Sequence, residues 1–185
     1  MKVAYIVFDG ITWLDFIGIY DPLSRLRSMQ FIEDFSWDVC SFTHTVKDHF
    51  GLEMVTTKQG NNLSGYDAVI IPGGYGTREL VADAEFLSWI KTAEGSQYKI
   101  SICTGSLILG AAGFLKGKAA TTHFAEYKAL QAYCKEVKEE RIVADGDVIT
   151  AGAVTSSIDL GLFLCEKWAG KEAAMQIRER MGYRG

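Results

Sequence analysis

Short apolar runs alternate with segments of helical periodicity along this chain. Between the runs, apolar side chains recur every three or four residues, as they do from Trp13 to Leu26 and from Leu87 to Ala93. Continuous apolar strands that alternate with helices predict an α/β fold, with a parallel sheet covered on both faces. The strongest candidates for buried strands are residues 3–8, 37–42, 68–72 and 99–103.

The second half of the chain carries weaker strand signals and two closing helices. Residues 118–122 and 147–152 are the weaker strand candidates, and helices are predicted near 156–168 and 171–181. Thr155 and the two serines after it can cap the first of these helices. Because there is no internal repeat, low-complexity tract or linker-like shift in composition, residues 1–185 are predicted to form a single domain.

Composition and charge exclude several classes of partner. The chain is 48% hydrophobic and 23% charged, with a net charge of −4. Its scattered Lys and Arg form no basic stripe, so nucleic acid is not an expected partner. No run approaches the roughly 20 apolar residues of a membrane span, and the N-terminal run is too short for a signal-peptide core. We therefore expect a cytoplasmic protein with no membrane partner.

The four cysteines are widely spaced, with no CxxC pair and no nearby His. They are Cys40, Cys103, Cys134 and Cys165. In a reducing compartment this spacing predicts free thiols rather than disulfides or a zinc site. No metal-ligand or nucleotide-binding pattern is present, so we expect neither a metal nor an organic cofactor.

Three predicted strand ends carry unusual sequences. "VFDG" leads into the first helix, "IIPGGYG" follows the third strand and "ISICTGS" follows the fourth. Ligands in parallel α/β sheets bind at the carboxyl ends of the strands. These three segments are therefore the first place to look for a site.

Cys103 lies where an apolar strand meets an apolar helix. Ser101 precedes it by two residues and Gly105 follows it by two. Small residues at these two positions match the pattern of a nucleophile elbow with Cys as the nucleophile. A helix N-terminus at this point is expected to lower the thiol pKa. The alternative is a buried cysteine that ends a core strand, a common place for free Cys.

The Pro-Gly-Gly turn after the third strand favours a ligand-binding loop. Gly73 and Gly74 allow the backbone to approach a ligand closely. The amides of Gly74 and Thr104 are predicted to form an oxyanion hole. A phosphate-binding loop is disfavoured because neither GxxxxGK[ST] nor GxGxxG is present.

Asp15 is the only charged residue in "GITWLDFIGIY". A carboxylate in so apolar a segment is costly to bury unless the site uses it. A surface helix that exposes one acid to water is the simpler alternative.

Four segments together resemble the ThiJ/PfpI superfamily. They are "IPGG", "ICTGS", "GFLKGKAATTHF" and "ITAGAVTSSIDLGL", and their order and spacing match over essentially the whole chain. The resemblance implies a flavodoxin-like three-layer sandwich with a reactive cysteine at the elbow, assembled as a homodimer.

"GITWLDFIG" together with "CTG" resembles the isonitrile hydratase branch of that superfamily. The resemblance implies that Asp15, Cys103 and Thr104 form a catalytic site that hydrates a small substrate without a cofactor, converting an isonitrile to an N-substituted formamide. The chain departs from the branch pattern in having Ile19 where Pro is usual and Ser157 where Gly is usual.

The resemblance also bears on His123 and Thr155. Superfamily members often place a His near the cysteine at the position of His123, although a His that merely packs against a loop is an equal alternative. Thr155 is expected to line the pocket. The protease-like branch has His where this chain has Thr104, and residues 140–170 lack the late His-x-Glu pair of glutamine amidotransferases. Peptide and glutamine hydrolysis are therefore disfavoured.

Two hypotheses from different classes remain, with a regulator as a third. The first is the hydratase, in which Asp15 faces the Cys103 sulfur and the two acids share a proton as a coupled pair. The second is a stress-response or redox-sensing protein of the superfamily, which is either glyoxalase- or deglycase-like or is non-enzymatic and acts through oxidation of Cys103 to sulfinate. The third is a ligand-binding domain of a transcription regulator.

Overall fold

The computed structural model describes residues 1–185, and eleven strands form its sheets. Seven of them build one central sheet and the other four form two small two-stranded sheets. In chain order the strands are β1 (Lys2–Ile6), β2 (Ser36–Ser41), β3 (Thr45–Lys47), β4 (Glu53–Val55), β5 (Lys58–Gln59), β6 (Ala68–Ile71), β7 (Tyr98–Ile102), β8 (Ala119–Ala120), β9 (Glu136–Val137), β10 (Ile142–Asp145) and β11 (Val148–Ala151).

The central sheet has the order β10-β11-β7-β6-β1-β2-β5. All neighbours are parallel except β10 and β11, which form an antiparallel hairpin at one edge. Strands β1, β6, β7 and β11 lie inside the sheet and are almost entirely buried. Their continuous apolar sequences follow from burial on both faces.

Seven α-helices pack around the sheet, and a 3-10 turn spans Phe124–Glu126. None of them has the length and hydrophobicity needed to cross a membrane. The helices are α1 (Trp13–Ser28), α2 (Thr77–Leu80), α3 (Ala84–Lys91), α4 (Gly105–Ala111), α5 (Tyr127–Leu130), α6 (Ser156–Ala169) and α7 (Lys171–Arg180).

The helices divide into two groups by their contacts. Helices α1, α6 and α7 pack on one another, whereas α4 contacts α2, α3 and α5. The predicted α/β sandwich, with a mainly parallel sheet and helices on both faces, is confirmed. One continuous cluster of 44 buried apolar residues fills the space between the layers.

The strongest sequence patterns locate the central strands to within two residues. The runs 3–8, 37–42, 68–72 and 99–103 correspond to β1, β2, β6 and β7. The sequence prediction missed β3, β4, β5, β9 and β10, which are short or lie at edges. The N-cap prediction was wrong, because the Thr155 side chain makes no capping hydrogen bond to α6.

Small residues let α1 and α6 approach closely. A Cβ atom on Gly18 of α1 would overlap the Ser157 hydroxyl of α6. That hydroxyl lies within hydrogen-bond distance of the Leu14 carbonyl (3.1 Å) and of the Val154 carbonyl just before α6 (2.8 Å). One turn further along, Gly161 leaves room for the ring of Pro22. The N-terminal half of α1, which carries Asp15, therefore packs closely against α6.

Gly161→Ala should destabilise the fold by about 1–3 kcal/mol, because the new methyl group overlaps the rigid Pro22 ring in a well-packed interface. Urea unfolding measures the effect. Gly95→Ala is the matched control, since a Cβ atom there would meet no atom within 4 Å. Equal stabilities of the two variants would contradict the close packing of α1 on α6.

Candidate active site

The backbone of Cys103 is held in a left-handed conformation between β7 and α4. Its φ angle is 55°, a region that non-glycine residues rarely adopt. The Cys103 N–H donates to the carbonyls of Ala151 (3.0 Å) and Gly152 (2.9 Å). The Cys103 carbonyl accepts from the hydroxyls of Thr122 (3.0 Å) and Ser106 (3.2 Å). Four hydrogen bonds therefore hold the strained residue in place, as the nucleophile-elbow interpretation expects.

Two glycines make room for this turn. A Cβ atom on Gly105 would overlap the Ile71 carbonyl oxygen, so the start of α4 can pack against the end of β6 only without a side chain. A Cβ atom on Gly73 would lie 2.8 Å from both Asp15 Oδ2 and Cys103 Cβ. Gly73 is thus the point at which the acid and the thiol residue converge.

Asp15 is fully buried and lies beside Cys103. Its Oδ2 accepts a hydrogen bond from the Gly73 N–H at 2.8 Å, while Oδ1 has no hydrogen-bond partner. Burial raises the pKa of Asp15 from 3.8 to about 7, although the Gly73 amide and the Cys103 thiol both act to lower it. The surface-helix alternative for Asp15 is therefore wrong.

The Cys103 thiol has a raised pKa, contrary to the expectation that a helix N-terminus would lower it. Burial first, and then the neighbouring Asp15 carboxylate, raise the pKa of Cys103 from 9.0 to about 12. The amide and hydroxyl of Thr104 oppose this shift. Helix α4 has only seven residues, and its N-terminus does not outweigh desolvation and a carboxylate in contact.

The two pKa shifts describe one coupled pair. The pair loses its first proton near neutral pH and the second only at strongly alkaline pH. Over the intervening range the pair carries one proton. Transfer of that proton to Asp15 would produce a thiolate and a carboxylic acid side by side.

The Gly74 amide is engaged within the protein. It donates a hydrogen bond to Thr104 Oγ1 at 3.0 Å, and the Thr104 hydroxyl donates back to the Gly74 carbonyl at 3.2 Å. The backbone N–H groups of Thr104 and Tyr75 donate to no protein oxygen. The Gly74 amide is therefore already engaged and is not free for the predicted oxyanion hole, whereas the Thr104 amide has no protein oxygen as an acceptor.

A cavity of about 330 Å³ opens onto the Cys103 side chain. Its polar wall comes from Thr12, Arg78, Cys103, Thr104 and His123. Asp15 does not line this cavity; it is buried next to Gly73 and Cys103. A larger surface cavity of about 450 Å³ lies along α7 and contains no nucleophile. The smaller cavity is therefore the candidate active site.

The structure brings His123 to the cavity and leaves Thr155 outside it. His123 is half-buried, and its Nδ1 accepts a hydrogen bond from the Ala125 N–H at 3.2 Å. This bond leaves Nε2 as the protonated nitrogen of a neutral ring. Thr155 is exposed, and its hydroxyl contacts Arg141 at 3.5 Å. The preceding residue, Val154, lines the cavity instead.

Thr12, Tyr75 and Arg78 line the cavity but were not predicted from the sequence. Tyr75 lies within the strand-end segment "IIPGGYG" and Thr12 follows "VFDG" by two residues, so the sequence could have suggested both. Arg78 lies on α2, one turn beyond the glycine loop, and nothing in a single sequence marks it. No group of three or more His, Cys, Asp or Glu side chains is placed to hold a metal ion.

A model of the DJ-1/PfpI family matches residues 1–167. The chain belongs to the DJ-1/PfpI family. It is 32% identical over 185 residues to the isonitrile hydratase of Pseudomonas putida, and the match covers 99% of this chain and 78% of that protein. The resemblance drawn from the elbow and glycine-loop motifs is therefore confirmed at the level of the family.

Proteins with other descriptions are similar to this chain as well. A THiJ/PfpI family protein from Pseudomonas syringae superposes with a TM-score of 0.90 at 29% identity, covering 100% of this chain and 75% of that one. The HTH-type transcriptional regulator CdhR of Pseudomonas aeruginosa is 26% identical over 95% of this chain. The chain spans only 53% of the length of that regulator. Membership of the family alone does not select one activity.

Asp15→Asn should change the pH dependence of Cys103 alkylation by iodoacetamide. In the wild type the rate should rise through about pH 7, where the pair loses its first proton. The Asn amide oxygen can still accept from Gly73, but the variant lacks the shared proton. Its rate should follow a single thiol titration, with a pKa below that of the wild-type thiol because the carboxylate charge is gone. Mass spectrometry of labelled peptides gives the rates.

The other three cysteines provide internal controls for that experiment. Cys40 and Cys165 are buried, and Cys134 is half-buried outside the cavity. Cys103 should label first near neutral pH, because it alone combines a cavity with a neighbouring base. Preferential labelling of another cysteine, or identical pH profiles for the wild type and Asp15→Asn, would contradict the coupled pair.

Proposed function

We propose that this protein is a cofactor-free, cysteine-dependent hydratase that converts a small isonitrile to an N-substituted formamide. The observation that carries the proposal is the buried Asp15 carboxyl group, with one oxygen free of partners, beside a thiol that opens onto a cavity. An isonitrile carbon must accept a nucleophile and then a proton on the same atom. A thiolate and a carboxylic acid in contact supply both.

The first half of the reaction forms a thioimidate. The proton of the pair moves to Asp15, and Cys103 Sγ attacks the isonitrile carbon. The Asp15 carboxylic acid then delivers its proton to that carbon. The result is a carbon bonded to sulfur, hydrogen and nitrogen, next to an Asp15 carboxylate.

The second half hydrolyses the thioimidate. The Asp15 carboxylate takes a proton from water as the hydroxyl adds to the carbon, and this proton passes to the substrate nitrogen. In this proposal the Thr104 and Tyr75 amides donate to the polar atoms of the tetrahedral species. The C–S bond then breaks, the hydroxyl proton returns to Asp15, and the formamide leaves a Cys103 thiolate beside an Asp15 acid.

Similarity to relatives supports this reaction without being specific to it. The P. putida isonitrile hydratase is similar over nearly the whole chain, but DJ-1 homologues and transcriptional regulators are similar as well. Those relatives keep open the redox-sensing alternative, in which Cys103 is oxidised, and a ligand-binding role. Turnover that depends on both Cys103 and Asp15 separates the hydratase from either alternative.

Wild-type protein should convert cyclohexyl isocyanide to its formamide, as followed by chromatography. Cys103→Ala should abolish the reaction, and Asp15→Asn should slow it by about 10²–10⁴-fold because a positioned proton donor is lost. Cys134→Ala should leave turnover unchanged, since this thiol lies outside the cavity. A panel of other isonitriles and 2-oxoaldehydes extends the search. If no isonitrile turns over above the Cys103→Ala background, the hydratase proposal fails.

We also propose that the chain forms a homodimer through the exposed apolar side chains near the start of α1. Leu14 and Ile17 are 45% and 43% exposed, and Leu52 of the adjacent β3–β4 connection is 63% exposed. A hydrogen bond from Trp13 Nε1 to the Leu52 carbonyl (3.1 Å) joins the two segments. Exposed apolar surface of this kind is typical of protein contacts.

Light scattering at micromolar concentration should give twice the chain mass of 20.4 kDa. Ile17→Glu should shift the protein toward the monomer, because it places a charge in the apolar contact. Met175→Glu on α7 is the control, since Met175 is similarly exposed (55%) but lies on another helix. A wild-type mass near 20.4 kDa would exclude the dimer.

A further inference from the structure

One permanently charged side chain, Arg78, lines the candidate active site. Its Nη2 donates to Glu126 Oε1 at 2.7 Å, and its guanidinium carbon lies 5.2 Å from the centre of the Tyr75 ring. The Arg78 side chain is half exposed. The ion pair and the ring hold the guanidinium group beside the cavity that contains Cys103.

These contacts leave most of the guanidinium group free. Arginine has five N–H donors in a planar fork, and the structure shows one of them in use, on Glu126. Nε and Nη1 have no protein acceptor. A carboxylate bound by an arginine in a paired geometry needs two parallel donors. Nη2 keeps a second hydrogen, and this hydrogen together with the neighbouring Nε–H or Nη1–H forms a free edge of the Arg78 guanidinium that can supply such a pair.

The cavity wall also carries a positive charge without a negative one. Arg78 lines the cavity, but no Asp or Glu does. Glu126 and Asp15 lie close by, yet neither contributes to the wall: Glu126 pairs with Arg78 from outside and Asp15 is buried behind Cys103. A small molecule in the cavity therefore meets a cation and the Cys103 sulfur together.

We propose that Arg78 is the substrate-anchoring residue and that the substrate is a small electrophile bearing a carboxylate. The carboxylate binds the free edge of the guanidinium group, and the electrophilic carbon lies against Cys103. The identity of that carbon as an isonitrile rests on the proposed function, whereas the anion subsite does not. A cavity of about 330 Å³ is near the lower limit for small-molecule sites, which favours a compact acid over an extended one.

A pair of alkylating reagents tests the subsite without requiring turnover. Iodoacetate and iodoacetamide deliver the same two-carbon group to a thiol, and they differ in carrying a carboxylate or a neutral amide. The measured quantity is the rate of alkylation of Cys103 by iodoacetate divided by its rate of alkylation by iodoacetamide. Cys134, outside the cavity, gives the intrinsic ratio in the same molecule.

The ratio at Cys103 should exceed that at Cys134 in the wild type. Arg78→Gln should lower it by roughly three- to tenfold, since hydrogen bonds to charged groups are the stronger class, and should leave the iodoacetamide rate within about twofold. Arg78→Lys should keep part of the preference. Glu126→Gln should raise the ratio, because it removes the carboxylate that competes for Arg78. Arg180→Gln on α7 removes the same charge at a remote site and should have no effect.

Two results would overturn the proposal. If Arg78 only braces Glu126, Arg78→Gln and Glu126→Gln would change both rates equally and leave the ratio at the wild-type value. If neither reagent reaches Cys103, the cavity does not admit a two-carbon acid.

Failure of the hydratase proposal has a separate signature, because no isonitrile would turn over whatever the alkylation ratio. If isonitriles do turn over, Arg78→Gln should raise KM for a carboxylate-bearing isonitrile but not for cyclohexyl isocyanide.

Discussion

The hydrogen bond from the Gly73 amide to the Asp15 carboxyl group is the contact on which the candidate site depends. It joins the first turn of α1 to the loop after β6, two segments 58 residues apart in sequence. Because Gly73 has no side chain, the same point also accommodates Cys103. Without this bond, both oxygens of a buried carboxyl group would lack partners, at a cost of about 1–3 kcal/mol or more. The close approach of three segments therefore stabilises the acid and places it at the thiol.

Helix α6 contributes to the same arrangement from a distance. Ser157 departs from the pattern of the hydratase branch, and its hydroxyl binds the carbonyl of Leu14, the residue immediately before Asp15. The side chain lies between α1 and α6, where Gly18 makes space for it, and does not line the cavity. Its effect on chemistry would thus pass through the position of α1.

The sequence alone predicts the parts of this fold that burial on two faces encodes. β1, β6 and β7 are continuous apolar runs, and the residues at their carboxyl ends can be grouped from the sequence because parallel strands end at the same edge of a sheet. The short strands β5 and β9 escaped prediction because their residues are partly exposed and follow no clear period. The engaged Gly74 amide, the position of Thr155 and the pairing of Arg78 with Glu126 depend on how distant loops meet, which local pattern does not encode.

The buried Asp15 also links the candidate site to the folding equilibrium. Its pKa is 3.8 in an ordinary setting and about 7 in the folded protein, so the folded state holds this proton more tightly than the unfolded chain does. The stabilisation from that proton is complete below about pH 4 and is lost as the pH rises through about 7, at up to ~1.4 kcal/mol per pH unit within this window. At neutral pH the fold therefore carries an acid whose ionised form it tolerates poorly. The free-energy cost of the buried carboxylate favours protonation of Asp15. The same cost that lowers the stability of the fold therefore assists any reaction step in which Asp15 takes up a proton.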